Sequence, residues 1–163
     1  MGNFISVTNK VNIVVGTVGM LGGLLAYAKL PSGALVPMQF GLDGSVGCSI
    51  QSKHAFLFYP LMSLFFGVVP FLLTSRKSTS INFPFSFDPS MAECQRNLAL
   101  GYLSLLHLTL GVFFAGASSV WVPQVIQDSS PSMSAKPVVG LVSIIACLSV
   151  GYFVRAWQQR HPI

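Results

Sequence analysis

The sequence predicts an all-α membrane protein, a single bundle of four transmembrane helices. Three observations predict it. The mean hydropathy is +0.68. Only 8% of the 163 residues are charged and 52% are hydrophobic, whereas about a quarter of an ordinary soluble domain is charged. The apolar residues also gather into four runs, 11–30, 55–74, 97–116 and 137–157, each about the length a helix needs to cross ~30 Å of hydrocarbon. No run has Asp, Glu, Lys or Arg at its centre. At that length a helix is the form that satisfies its own backbone in lipid.

The first run carries Gly16, Gly19, Gly22 and Gly23. Gly16, Gly19 and Gly23 share a face at i, i+3 and i+7, which permits close approach of another helix backbone. That helix belongs either to the same bundle or to another subunit, so the three glycines are candidate partner contacts. Two processing signals compete ahead of the loop. "MGNFIS" fits the N-myristoylation pattern, with Gly2 as acceptor and Ser6 in place. "AYA" at 26–28 follows an apolar run, as a signal-peptidase site does. The segment has no arginine, unlike a transit peptide.

The first connection, "LPSGALVPMQFGLDGSV", spans 30–46. Pro31 and Pro37 stop the helix, and Asp43-Gly44 is a turn signal. Leu35, Val36, Met38, Phe40, Leu42 and Val46 are too apolar for a free aqueous loop. They are expected to fold back on the bundle mouth as a cap, and alternation at Val36, Met38 and Phe40 suits an extended segment. The cap is either a structural plug or a partner site. Pro37, Gln39, Phe40, Asp43 and Gly44 are its candidate contacts.

The second run is rich in Phe. Pro60 belongs to its first turns, while Pro70 lies far enough in to kink it. Before the third run, Ser90–Glu93 forms a capping box after Asp88-Pro89, which predicts a helix start near Met91. That helix is longer than a membrane requires, with Glu93, Gln95 and Arg96 at the interface. His107 is the ionisable group deepest in any run, Cys and Tyr aside, and is a candidate intramembrane polar site. Without an acid partner it reads as a neutral ring bonded to a neighbouring helix. The fourth run ends in "RAWQQRHPI", where Arg155 can snorkel and Arg160 and His161 can reach lipid phosphates.

Lys10, Arg76, Lys77, Arg96, Arg155 and Arg160 flank the runs on one side, and Lys29, Lys53 and Lys136 on the other. This bias puts both termini on the cytoplasmic side, or on the matrix or stroma side of an organelle. Trp121 and Trp157 fall near the run ends, as interfacial aromatics do. The net charge of +5 is scattered and forms no nucleic-acid stripe. Cys48, Cys94 and Cys147 fall in three different compartments, with no disulfide or zinc spacing. The acids Asp43, Asp88, Glu93 and Asp128 lie in connections or at a helix entry. No catalytic constellation, metal cluster or phosphate loop is visible, so neither an enzyme nor a cofactor is expected.

One family resemblance rests on Leu30, Pro31, Val36, Pro37, Phe40, Gly44, Ser52, Lys53 and Pro60. Taken together they resemble a short membrane domain of the SdpI-type toxin-immunity proteins and of many small multi-pass proteins. Asn82, Pro84, Gln95 and Arg96 resemble its continuation. The resemblance covers the first three runs and implies a multi-helix membrane unit. Gln39 stands where that family carries His, and a neutral amide neither titrates nor ligates a metal well. The spacing between Pro31 and Val36 is also longer.

The expected function is non-catalytic. The chain acts by protein–protein contact, as an accessory or stabilising subunit of a larger membrane complex, with membrane lipids and other membrane subunits as partners. One alternative is an immunity or signalling receptor of the SdpI type. The other is a small-molecule carrier or channel lined by Ser104 and His107.

Overall fold

The computed structural model describes residues 2–41, 45–75, 92–127 and 136–160. Helix α1 runs Gly2–Lys29 and is followed by a hairpin of β1, Leu35–Phe40, and β2, Val46–Gln51. A 3-10 turn, Lys53–Leu57, leads into α2, Phe58–Ser75. Helix α3, Ala92–Gly116, continues through a π turn, Ala117–Trp121, into α4, Val122–Gln127, and α5 spans Lys136–Arg160. Four helical stretches are long and apolar enough to cross a membrane: Asn3–Lys29, Lys53–Ser75, Ala92–Gln127 and Lys136–Gln158.

The third stretch extends 36 residues, well past the expected end at 116. Pro123 lies seven residues beyond that end. Pro123 lacks an N–H and crowds the carbonyl four residues earlier, which normally breaks a helix. Here the widened turn Ala117–Trp121 lies directly before it and takes up the mismatch. Ser118 Oγ shares its one proton between the Gly19 carbonyl at 3.1 Å and the Ala115 carbonyl at 3.0 Å, so its hydroxyl is satisfied without leaving the helix.

Helix α1 shows how the bundle is organised. Ile5, Asn9, Asn12, Gly16, Gly19, Gly23 and Leu30 are buried. Up to Gly23 they recur at alternating steps of four and three residues, the seam of a helix packed along its length. Val7, Val11, Val14, Val18, Leu21 and Leu25 recur at the same steps on the opposite face and are exposed. The helix is therefore inside out: small and polar groups face the chain, and large aliphatic groups face away from it.

The seam packs on α2 and α3. A Cβ at Gly16 would lie 2.9 Å from the Gly67 Cα and from the Ser63 carbonyl oxygen, and one at Gly67 would lie 2.7 Å from the Asn12 carbonyl oxygen. Gly19 meets Ala115 and Ser63, and Gly23 meets Pro60 and Ser118. Of the two neighbours the spacing allowed, a helix of the same bundle or one of another subunit, the chain's own α2 and α3 lie against the glycine face. Its i, i+3, i+7 spacing identified a close approach, and the neighbour proves intramolecular.

Helix α5 stands at the edge. It packs on α3, where the Tyr102 and Tyr152 rings stack at 4.8 Å and the Tyr102 hydroxyl meets Ser149 Oγ at 3.0 Å. Pro70 lies inside α2, buried, while Pro60 sits in its first turn against Gly23.

Candidate functional site

Two features concentrate the chain's chemistry, a cap over one end of the bundle and a ladder of polar side chains within it. The cap is the hairpin. β1 and β2 pair antiparallel, Val36 opposite Ile50 and Pro37 opposite Ser49, with the register shifting on either side of Gln39. Leu30, Val36, Phe56, Tyr59, Ala117 and Val122 form one buried cluster, and Met38, Phe40 and Trp121 pack against it. The Tyr59 hydroxyl donates to the Pro37 carbonyl, which pins β1 to the start of α2. Beside it the Tyr27 hydroxyl meets His54 Nδ1 at 2.9 Å, and Lys53 Nζ sits 4.6 Å above the Tyr27 ring, a cation–π contact.

The extended reading of this stretch therefore matches the structure, and its alternation points Val36, Met38 and Phe40 at the bundle. Pro37 is buried, and Phe40 is half-buried against the core cluster, so both serve the chain itself. Gln39 is exposed, opposite the exposed Cys48, and belongs to the outer face. Asp43 and Gly44 lie outside the described residues, as do the capping residues Ser90 and Met91.

The ladder joins α1 to α2 and α3. Asn9 Nδ2 donates to Thr74 Oγ1 at 2.7 Å, and Ser104 Oγ donates to Asn9 Oδ1 at 3.0 Å. Asn12 Nδ2 donates to the Ser104 carbonyl at 3.0 Å, leaving its own Oδ1 without a partner among the described residues. Sequence reasoning missed Asn9 and Asn12. The signal was present, because both continue the glycine seam toward the amino terminus. A double-mutant cycle with Asn9→Ala and Ser104→Ala, read by unfolding in detergent micelles, is expected to give a coupling of ~0.6 kcal/mol, with ~1.7 kcal/mol as the upper bound for such bonds between membrane helices. Strictly additive single effects would show that the bond contributes nothing.

His107 and Ser104 share a face of α3 but not an environment. Ser104 is 1% exposed and reaches α1. His107 Nδ1 lies 2.7 Å from the Leu103 carbonyl of its own helix. A carbonyl only accepts, so Nδ1 carries the proton and donates. The His107 ring meets the Phe66 ring of α2 edge-on at 5.7 Å. The expected hydrogen bond from His107 to a neighbouring helix is replaced by this one within its own turn. The two residues do not converge on a common polar lining.

Among the described residues, clefts flank these features. One, of about 340 Å³, is lined by Lys10, Arg96 and Asn97 with Ser6, Thr74 and Ser75 at one end of the bundle. An apolar groove of about 370 Å³ runs between α3 and α5 past Gly101, Tyr102, Cys147 and Gly151 to Arg155. The third, about 390 Å³, lies between Gly22 and Lys29 of α1 and Pro123 and Gln127 of α4. Gln95, named with Arg96 in the resemblance, is 1% exposed and neither of its amide atoms has a partner among the described residues. Gly2 is the first residue of α1.

These features define a class: a mostly helical protein with four stretches of membrane-crossing length and apolarity, the first of them small and polar on its packed face and aliphatic on its outer one. Comparison with family models, with curated proteins and with solved structures returns no match.

Proposed function

We propose that the chain is an integral multi-pass membrane protein with both termini on the cytoplasmic side, or on the matrix or stroma side. We propose further that it works without catalysis, by protein–protein contact, as an accessory or stabilising subunit of a larger membrane complex. The inside-out polarity of α1 supports the membrane placement, because large aliphatic side chains on an outer face suit lipid and not water. The ends of the bundle support the orientation. Lys10 and Arg96 line one cleft and Arg155 another beside Phe4, all at the end where α1 begins, whereas Lys29 and Lys53 lie at the capped end.

The observation that carries the contact reading is α5. None of its most apolar window is buried within the chain, and Val142, Val150, Phe153 and Trp157 are all more than half exposed. The other three stretches close around the polar ladder, and the hairpin covers the bundle mouth. Among the described residues Ser104 turns to α1 and His107 to its own helix, which supports contact over carriage.

Affinity purification of the full chain from its native membrane in mild detergent tests this reading. A stoichiometric membrane-protein partner is expected, cross-linked from a photoreactive residue at Val150 but not from one at Val14 on the outer face of α1. A chain that purifies alone, with no partner at either position, overturns it.

A further inference from the structure

The groove between α3 and α5 serves neither the packing of the bundle nor the contact proposed for the outer face of α5. Gly101 and Tyr102 line it from α3, and Leu148, Gly151, Tyr152 and Arg155 line it from α5. The space is about 370 Å³. Its floor is open at both glycines, since nothing lies within 4 Å of a Cβ at Gly101 or at Gly151. One wall is flat and rigid, because the Tyr102 and Tyr152 rings stack at 4.8 Å with 29° between their planes. The Tyr102 hydroxyl is spent on Ser149 Oγ at 3.0 Å, and Ser149 Oγ donates in turn to the Ile145 carbonyl at 2.8 Å. Arg155 stands at one end of the groove, the end where α1 begins.

From this arrangement we infer that the groove binds a sterol, its fused rings lying over the two glycines and its hydroxyl at Arg155. A sterol has one polar end and a rigid apolar length, and the groove has the same profile. From Leu148 to Arg155 the helix rises about 10 Å at ~1.5 Å per residue, the scale of a fused four-ring nucleus. The bare glycine floor lets a flat ring face come close to both backbones, as it lets helices do in a membrane. Rigidity separates a sterol from an acyl chain, because a body with few rotatable bonds loses little freedom when it binds. Leu148, Tyr152 and Arg155 also have the order and spacing of a short apolar, tyrosine, basic pattern proposed for sterol contact. Such a pattern is too short to single out a site by itself. Here its three residues lie at i, i+4 and i+7 on one helix and line one groove. A sterol hydroxyl is neutral and needs no free charge: a guanidinium has five N–H donors and can serve it while meeting other groups. In a bilayer Arg155, near the end of α5, reaches the interface, the level at which a sterol hydroxyl sits. The inference rests on the membrane placement proposed above. It is independent of the contact reading, whose Val142, Val150, Phe153 and Trp157 do not line the groove.

The test reconstitutes the full chain in phosphatidylcholine vesicles that carry a photoactivatable cholesterol, and maps the labelled peptides. Labelling is expected to saturate, to fall on the peptides that hold Gly101 and Gly151, and to be displaced by unlabelled cholesterol but not by oleic acid. Gly151→Leu fills the floor and is expected to weaken binding at least ~10-fold. Arg155→Leu removes the donor to the hydroxyl and is expected to weaken it about fivefold, whereas Arg155→Lys should retain it. Gly140→Leu, on the same helix and outside the groove, should leave it unchanged. If Gly151→Leu does not fold, Gly101→Leu together with Arg155→Leu against Arg155→Lys decides. Labelling that does not saturate, equal displacement by oleic acid, or full labelling of Gly151→Leu each overturns the sterol site. Release of the chain from membranes by alkaline carbonate without detergent would instead overturn the membrane placement.

Discussion

Gly16→Leu is expected to disrupt the packing of α1 on α2, at a cost of about 3 kcal/mol or more, the upper end of what overpacking a closed interior costs. At this position the atoms met at 2.9 Å are the Gly67 Cα and the Ser63 carbonyl oxygen, both backbone. No side-chain rotation can clear them, so the helices must separate. Separation also breaks the register in which Asn9 meets Thr74 and Ser104. Gly67→Leu should behave alike, because its Cβ would press on the Asn12 carbonyl oxygen. Gly140→Leu provides the contrast. Nothing lies within 4 Å of a Cβ there, and a change of less than ~0.5 kcal/mol is expected. Unfolding of the isolated chain in micelles measures all three. The same experiment bears on the glycine face itself. A Gly16→Leu chain that kept full stability alone would return that face to the role of intermolecular contact.

The four long helices were legible in the sequence, because hydropathy over about twenty residues reports length and apolarity directly. The limits of that signal are equally physical. Asn3, Ser6, Asn9 and Lys10 depress the local hydropathy, so the apolar run starts at residue 11 although α1 starts two turns earlier. Those turns hold Asn9, one anchor of the polar ladder. Spacing on one helix identifies a face but not the neighbour it meets, so packing within the bundle and contact with another subunit both stayed open for the glycines. Ser118, Ser119 and Pro123 carry the local chemistry of a helix exit. The helix continues there because the buried Ala117, Ser118 and Val122 belong to the closed end of the bundle. In the hairpin, alternation told which side chains point inward. It could not separate Pro37 from Gln39 as contact candidates, because that depends on the Tyr59 hydroxyl reaching the Pro37 carbonyl from 22 residues away. His107 was singled out for its chemistry, and its bond to the preceding turn of its own helix is one that no spacing rule favours over a bond to a neighbour.

The hairpin's role as a plug turns on Phe56. This ring is 0% exposed, lies 6.1 Å from the Tyr59 ring, and belongs to the cluster that holds Val36 and Val122 together. Phe56→Ala is expected to cost about 3–5 kcal/mol, the usual range when a fully buried aromatic is removed and its space does not collapse. Collapse is restricted here, because β1 is held on one side by Tyr59 and the π turn is fixed on another by the bonds of Ser118. The loss should fall mainly on the cap. A Cys at Met38, which packs half-buried against the cluster, reports on it. In a Cys48→Ser background a water-soluble maleimide should label that Cys slowly in the parent. With Phe56→Ala labelling should be at least ~10-fold faster, the change that ~1.4 kcal/mol of easier local opening produces. Rapid labelling in the parent, with little stability lost on removing Phe56, would mean that the hairpin does not close the bundle mouth. A route for a carried molecule would then be open at that end, and the preference for contact over transport would lose one of its two supports.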